Sequence, residues 1–239
     1  MKCTLPIKFP DKSTVCVCNN APSVMSTKHN ASIFFLIILG VVTIFLLGVS
    51  TVRERNARAD KNNPFAGIVR PQFFSESPSE GDDSASLALF EYGDFACSAC
   101  REMQPAVERI FAAYGDRVFH VWKDFPIHPG LSQPAAAAAR CAGVQGKFWP
   151  YHDLLFSKKV ELAELDFKEA AQSLGLDAKK FDECLADGDA AELVERDLLE
   201  AQALGIDTAP TFVIGGAAFS GVASFEDFEA LVLAELAKL

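Results

Sequence analysis

The chain has 239 residues, half of them hydrophobic and 23% charged, which is ordinary globular usage and excludes disorder along its whole length. The net charge of −10 divides unevenly: residues 1–59 carry seven Lys/Arg against two Asp/Glu, and residues 60–239 carry fifteen against thirty. A body that acidic lacks the clustered basic surface on which nucleic-acid binding rests, so nucleic acid is not expected as a partner.

Residues 1–30 read as a short polar tail in which Cys3, Cys16 and Cys18 are expected as free thiols, since no histidine cluster accompanies them. Met25, followed by STKHN, would also serve as a start. Residues 31–52 (ASIFFLIILGVVTIFLLGVSTV) carry no charge. As a helix rising about 1.5 Å per residue they reach about 33 Å, the thickness of a hydrocarbon core. A transmembrane signal anchor is therefore expected. A buried core helix would be shorter, as would the apolar region of a cleaved signal peptide, although Ala57-Arg58-Ala59 leaves cleavage open. The orientation signals conflict. Arg53, Arg55, Arg58 and Lys61 favour a cytoplasmic C-terminal side. Three cysteines before the anchor and four after it favour an oxidising compartment there.

Residues 53–83 mix charge, Pro, Ser and Gly, and read as a linker with one short strand near 68–69. Residues 87–92 (LALFEY) read as a strand, residues 97–114 as an amphipathic helix with Met103, Val107, Ile110, Phe111 and Tyr114 on one face, and residues 118–122 as a second strand. That is a βαβ unit. From about 130 to 205 the patterning turns helical, in five segments near 135–139, 148–156, 167–174, 179–186 and 190–204. Two short strands, 211–214 and 217–220, flank Gly215-Gly216 as a hairpin. A helix from Phe225 closes the chain, with Ser224 and Asp227 approximating a capping box.

Cys97-Ser98-Ala99-Cys100 falls where the first strand gives way to the helix. Cysteines three apart share a helical face, and unpaired N–H groups with the helix dipole favour a thiolate in the first turn. Cys97 is the expected nucleophile and Cys100 the resolving thiol. A CxxC alone also fits half a zinc site, a structural disulfide or an ordinary helix start. Cys141 and Cys184 are isolated, however, and His120, His128 and His152 lack ligand spacing, so no metal is expected.

Further segments carry a resemblance. FEYGDF (90–95) precedes CSAC, Pro105 stands five residues after Cys100, KDFP occupies 123–126, GKFW 146–149 and APTF 209–212. Over about residues 68–239 the chain resembles membrane-anchored DsbA-like thiol–disulfide oxidoreductases of the thioredoxin superfamily. The resemblance implies an α/β thioredoxin fold with a helical insertion, occupying residues 84–239 behind the N-terminal transmembrane helix. It implies that Pro210 follows a cis bond and faces the active site together with Ala209, Ser98 and Ala99, where a trans turn proline is the alternative. It also implies that Glu91 is the family's buried acidic residue beneath the disulfide, handing protons to and from Cys100, with a solvent-facing strand residue as the alternative. Lys123 is open between a place beside Glu91 and a surface charge. Ser98-Ala99 is neither the Pro-His of strong oxidases nor the Gly-Pro of reducing thioredoxins, which leaves the direction of electron flow open.

The activity so implied is oxidation of thiols in exported proteins through the Cys97–Cys100 disulfide, without an organic cofactor. A membrane reoxidant of the DsbB or VKOR type would restore the pair. The chain would be a monomer held by a single pass in a bacterial inner membrane, with the catalytic domain in the periplasm. An isomerase or reductase on the same fold is the near alternative, and a redox-inactive client- or metal-binding module the distant one. Cys141 and Cys184 frame the helical insertion. Two unpaired thiols beside an exchange site would be liabilities, so a structural disulfide between them is expected, against the alternative of two buried, inert thiols.

Overall fold

The computed structural model describes residues 6–8, 14–16, 35–45, 48, 63–157 and 162–239. The chain divides into two units, Met1–Arg58 and Ala59–Leu239. In the first, β1 (Pro6–Lys8) pairs antiparallel with β2 (Thr14–Cys16), Pro6 opposite Cys16. The helix α1 (residues 35–45) exposes its apolar side chains, Phe35, Ile44 and Phe45 among them. The rest of the expected anchor over 31–52, apart from Gly48, lies outside the described residues, as do Cys3 and Cys18. Among the described residues no helix is long and apolar enough to cross a membrane.

The second unit is built on a five-stranded mixed sheet in the order β3 (Ser79–Glu80), β5 (Val118–Asp124), β4 (Leu87–Gly93), β6 (Thr211–Ile214), β7 (Ala217–Ser220). Its centre is β4, which runs parallel to β5 and antiparallel to β6. The parallel pair is joined by α2 (Ser98–Tyr114), so strand, helix and strand form the βαβ unit. The hairpin to β7 (Ala217–Ser220) turns at Gly215, whose φ of +56° suits a residue without a Cβ. Then α8 (Phe225–Leu236) begins at Ser224, whose Oγ accepts the Asp227 N–H.

The short strand expected near 68–69 is absent there. Val69 is 91% exposed and the Ile68 N–H turns back to the Phe65 carbonyl. Instead β3 (Ser79–Glu80) joins the sheet antiparallel to β5, with Ser79 opposite Val121. Part of the expected linker packs on the domain: Asn63 Nδ2 donates to the Leu199 carbonyl, and Phe73 meets Phe119 edge-on.

Between β5 and β6 lies the helical insertion: α3 (Ser132–Val144), α4 (Phe148–Phe156), a 3-10 turn (Leu162–Glu164), α5 (Phe167–Ser173), α6 (Ala178–Asp187) and α7 (Asp189–Ala203). Asp166 and Asp177 start α5 and α6 by accepting two backbone N–H groups each. Gly188, with φ +89°, separates α6 from α7. Alternation along β4 divides the core. Leu87 and Leu89 pack with Met103 and Ile110 of α2 and Phe228 and Val232 of α8. Tyr92 and Phe95 pack with the alanine-rich α3, Phe156 and Trp122.

Gly93 has a packing reason. A Cβ built on it would lie 2.2 Å from Trp122 Cη2. Gly93→Ala should therefore destabilise the domain by about 1–3 kcal/mol, the usual cost of overpacking a core, as a lowered urea midpoint with unchanged m. A midpoint equal to wild type would mean that the indole moves aside freely.

Candidate functional site

Where β4 ends, the turn of residues 94–96 delivers Cys97 to the N-cap position of α2, in extended backbone (φ −83°, ψ 121°). Cys97 as a residue is 8% exposed, and Cys100, one turn on, is fully buried. Both are free thiols. A hydrogen bond from Cys100 to the Cys97 sulfur lowers the Cys97 pKa to about 6. Burial works against that shift, the backbone N–H groups of Cys100 and Ala99 support it, and the charge of Asp94 opposes it. The same thiol–thiol bond pushes Cys100 far up, together with burial and the charges of Cys97 and Glu91. The Asp94 N–H, 3.4 Å from Cys100 Sγ, pulls the other way. At neutral pH Cys97 is thus favoured as the thiolate, with Cys100 held protonated behind it.

The loop before β6 closes over the pair. The Ala209–Pro210 peptide bond is cis, and Cys97 Sγ lies 3.4 Å from the Ala209 carbonyl oxygen. Ser98 is exposed and Ala99 half-buried beside it. Cys97, Ala209 and Pro210 are thus brought together, all three buried, at the foot of the turn that exposes Ser98.

Glu91 is fully buried on β4. Its Oε1 accepts from Gln104 Nε2 at 2.9 Å, and the same amide reaches the Cys100 carbonyl at 3.5 Å. Its Oε2 pairs with His120 Nε2 at 3.1 Å, and His120 Nδ1 pairs with Glu80 at 3.0 Å. Burial disfavours a charged His120, but the two carboxylates prevail and raise its pKa to about 9. Glu91, His120 and Glu80 thus make a hydrogen-bonded series from the interior near Cys100 to a partly exposed carboxylate. A cavity of about 200 Å³ borders it, lined by Gln104 and Glu108 as well as Glu80 and His120.

Lys123 is neither beside Glu91 nor at the surface. In the parallel register Glu91 stands opposite Trp122, and Tyr92 opposite Lys123. Alternation then sends Lys123 to the face of the insertion, where it is buried and pairs with Asp197 and Glu200 of α7. Sequence reasoning missed His120 as the partner of Glu91. The available signal was one polar residue at an inward position of the strand VFHVW.

Asp94 was also missed, although it stands in the FEYGDF segment. It is buried and gathers the Ala96, Ile127 and His128 N–H groups and the His128 ring. Cys141 and Cys184 are joined within the insertion, S–S 2.07 Å and Cα–Cα 5.7 Å, linking α3 to α6 apart from the thiol pair. Among the described residues no group of three or more His, Cys, Asp or Glu could hold a metal ion.

The profile of the thioredoxin family matches residues 75–234. Among curated proteins the chain is 35% identical over 199 residues to the Na(+)/H(+) antiporter NhaA 3 of Salinispora tropica, covering 81% of this chain and 30% of that protein. The chain thus spans less than a third of the length of that relative. Among solved structures, the catalytic domain of ScsC from Proteus mirabilis is similar at 26% identity and a TM-score of 0.59, over 77% of this chain and 98% of that one. The thiol-disulfide exchange protein alpha-DsbA2 of Wolbachia pipientis shares the fold at 19% identity and a TM-score of 0.61, over 67% and 87%.

Proposed function

The chain belongs to the thioredoxin family, and from that premise we propose that it is a thiol–disulfide oxidoreductase that oxidises thiols of exported proteins through a Cys97–Cys100 disulfide. The observation that carries this reading is the placing of a low-pKa Cys97 at the start of α2, against the carbonyl before cis Pro210, with Cys100 buried behind it.

In the oxidised pair a substrate thiolate attacks Cys97 Sγ. The substrate–Cys97 mixed disulfide forms, and the Cys97–Cys100 bond breaks with its electron pair leaving on Cys100. Cys100, a poor thiolate where it is buried, takes up a proton, and Glu91 with His120 behind it is the proposed source. A second substrate thiolate attacks the substrate sulfur of the mixed disulfide. The substrate leaves with a disulfide, and Cys97 leaves as the thiolate that its surroundings favour. Two electrons pass to the protein, and a membrane reoxidant of the DsbB or VKOR type would remove them. No organic cofactor enters these steps. In this reading Ser98, Ala99, Ala209 and Pro210 would be the residues that the substrate backbone meets. The reading places the domain in the periplasm as a monomer, anchored through residues 31–52 in the inner membrane. The Cys141–Cys184 bond serves there as a structural link.

Stabilising the Cys97 thiolate stabilises the reduced protein and so raises the reduction potential. Equilibration of the full chain with glutathione should give a potential well above the roughly −270 mV of thioredoxin. A value at or below that level, with exchange activity intact, would make the protein a reductase.

A further inference from the structure

A second titratable pair sits at the thiol site and takes no part in the steps above. Asp94, in the turn between β4 and α2, is buried, and its backbone brackets the cysteines: its carbonyl accepts the Cys97 N–H at 3.0 Å and its N–H reaches Cys100 Sγ. Its carboxylate faces the loop after β5. One oxygen accepts the Ala96 N–H at 2.8 Å. The other accepts the Ile127 and His128 N–H groups at 2.9 and 3.1 Å and pairs with His128 Nδ1 at 2.7 Å. The His128 side chain is 47% exposed.

A buried carboxylate in the turn that carries a nucleophilic thiolate is a like charge, and like charges disfavour ionisation. Asp94 does oppose the Cys97 thiolate. The cation that answers it comes from another element. We propose that His128 is a positioning residue for the exchange reaction: held on Asp94 at the thiol site, its imidazolium cancels the carboxylate's charge and keeps Cys97 a thiolate in a motif without a histidine between its cysteines.

The other groups do not supply this charge. From α2, Cys100 offers a thiol hydrogen bond and backbone N–H groups. The cis-proline loop offers the Ala209 carbonyl, and its acid, Asp207, is exposed. Glu91 is buried and bears on Cys100, and the cation beside it, His120, is engaged by Glu80 and Glu91. The His128 pKa is itself raised, first by the hydrogen bond to Asp94, with burial opposing and the charges of Asp94 and Cys97 assisting. Protonation of His128 and ionisation of Cys97 therefore favour one another.

This inference rests on the thiol-exchange reading, and its test separates the two. The readout is the pH titration of the Cys97 thiolate in the reduced full chain, followed by ultraviolet absorbance and by the rate of alkylation. His128→Gln keeps a donor for Asp94 and removes the charge; it should raise the Cys97 midpoint by about one pH unit. His128→Lys keeps the charge and should leave the midpoint near the wild-type value. Asp94→Asn placed on His128→Gln removes the charge that needs cancelling and should bring the midpoint back down. At pH 7 the glutathione equilibrium of His128→Gln should move about fivefold toward the disulfide, which is about 20 mV.

If His128 acted only as a hydrogen-bonding prop, glutamine would leave the midpoint unchanged, and that result overturns the proposal. A lysine variant that titrates like the glutamine variant also overturns it. Should the wild-type chain oxidise no dithiol peptide, the exchange reading fails, while the thiolate titration still decides the part played by His128.

Discussion

Cys97→Ser should abolish oxidation of a dithiol peptide by the full chain; Cys100→Ser, which cannot form the pair's disulfide, should not oxidise it either, but its Cys97 thiolate should attack the disulfide form of the peptide and accumulate as a mixed disulfide that no Cys100 resolves. The asymmetry follows from placement. Cys97 retains slight exposure and its sulfur meets the Ala209 carbonyl, whereas Cys100 is fully buried behind it. A hydroxyl at position 97 cannot form the mixed disulfide, so the loss is complete. In wild type, alkylation of Cys97 should follow its thiolate. With a pKa of about 6, the rate is near its plateau at neutral pH and drops about tenfold per unit well below pH 6. The reduced form gains stability from the same shift. Because the folded pKa lies below the unfolded value, that contribution is complete above the unfolded thiol pKa of about 8.5 and is lost as pH falls through 6. A Cys97→Ser protein that still oxidises peptide would remove Cys97 from the mechanism, and a mixed disulfide trapped on Cys100 instead would reverse the two roles.

Much of this site is legible in the sequence because it is local. CSAC lies within one helical turn at a strand–helix junction, and the periodicities that mark β4, α2 and β5 are unbroken by buried polar residues except at Glu91, His120 and the end of β5, Lys123 and Asp124. The insertion is legible for the same reason, as successive amphipathic stretches begun by Asp166, Asp177 and Gly188. The hidden parts depend on register and on long loops. Whether Lys123 or His120 meets Glu91 is decided by which residues of two parallel strands stand opposite each other, and no pattern within either strand states that. Asp94 and His128 are 34 residues apart and meet through loops. The segment of residues 63–80 reads as a linker because its order comes from partners far along the chain. The Gln72 N–H, for instance, is accepted by Glu200 at 2.6 Å. Residues 31–52 are the opposite case: composition alone announces an apolar helix, of which the structure describes residues 35–45, their apolar side chains exposed.

Lys123→Met should cost about 3–5 kcal/mol, because it removes one member of a buried ionic cluster and leaves the others in place. Lys123 Nζ lies 2.7 Å from Glu200 Oε2 and 3.4 Å from Asp197 Oδ1, all three side chains fully buried. Arg140 Nε pairs with Asp124 at 2.6 Å, and its Nη2 pairs with Asp197. Glu200 also accepts from the Tyr92 hydroxyl, and Arg140 Nη1 donates to the Glu76 carbonyl. The cluster therefore ties β4 and β5 to α3, α7 and the segment before β3. Three carboxylates face Lys123, Arg140 and, 3.8 Å from Asp197, the partly exposed Arg196, so losing Lys123 leaves negative charge on Glu200 uncompensated away from water. Methionine fills most of the space of the lysine stem, so the loss is one of charge more than of packing. In urea the midpoint should fall with m unchanged, and the melting temperature should drop by roughly 6–20 °C. The loss should also depend on pH. Burial already raises Asp197 above an ordinary carboxylate, and without Lys123 the cluster binds a proton more readily when folded than when unfolded. The variant should then lose stability as pH rises above about 4 and recover part of it below. Adding Glu200→Gln removes that unpaired charge and should restore part of the difference at neutral pH. A single variant within about 1 kcal/mol of wild type would mean that water reaches these charges, and the cluster could not then be what holds α7 to β5.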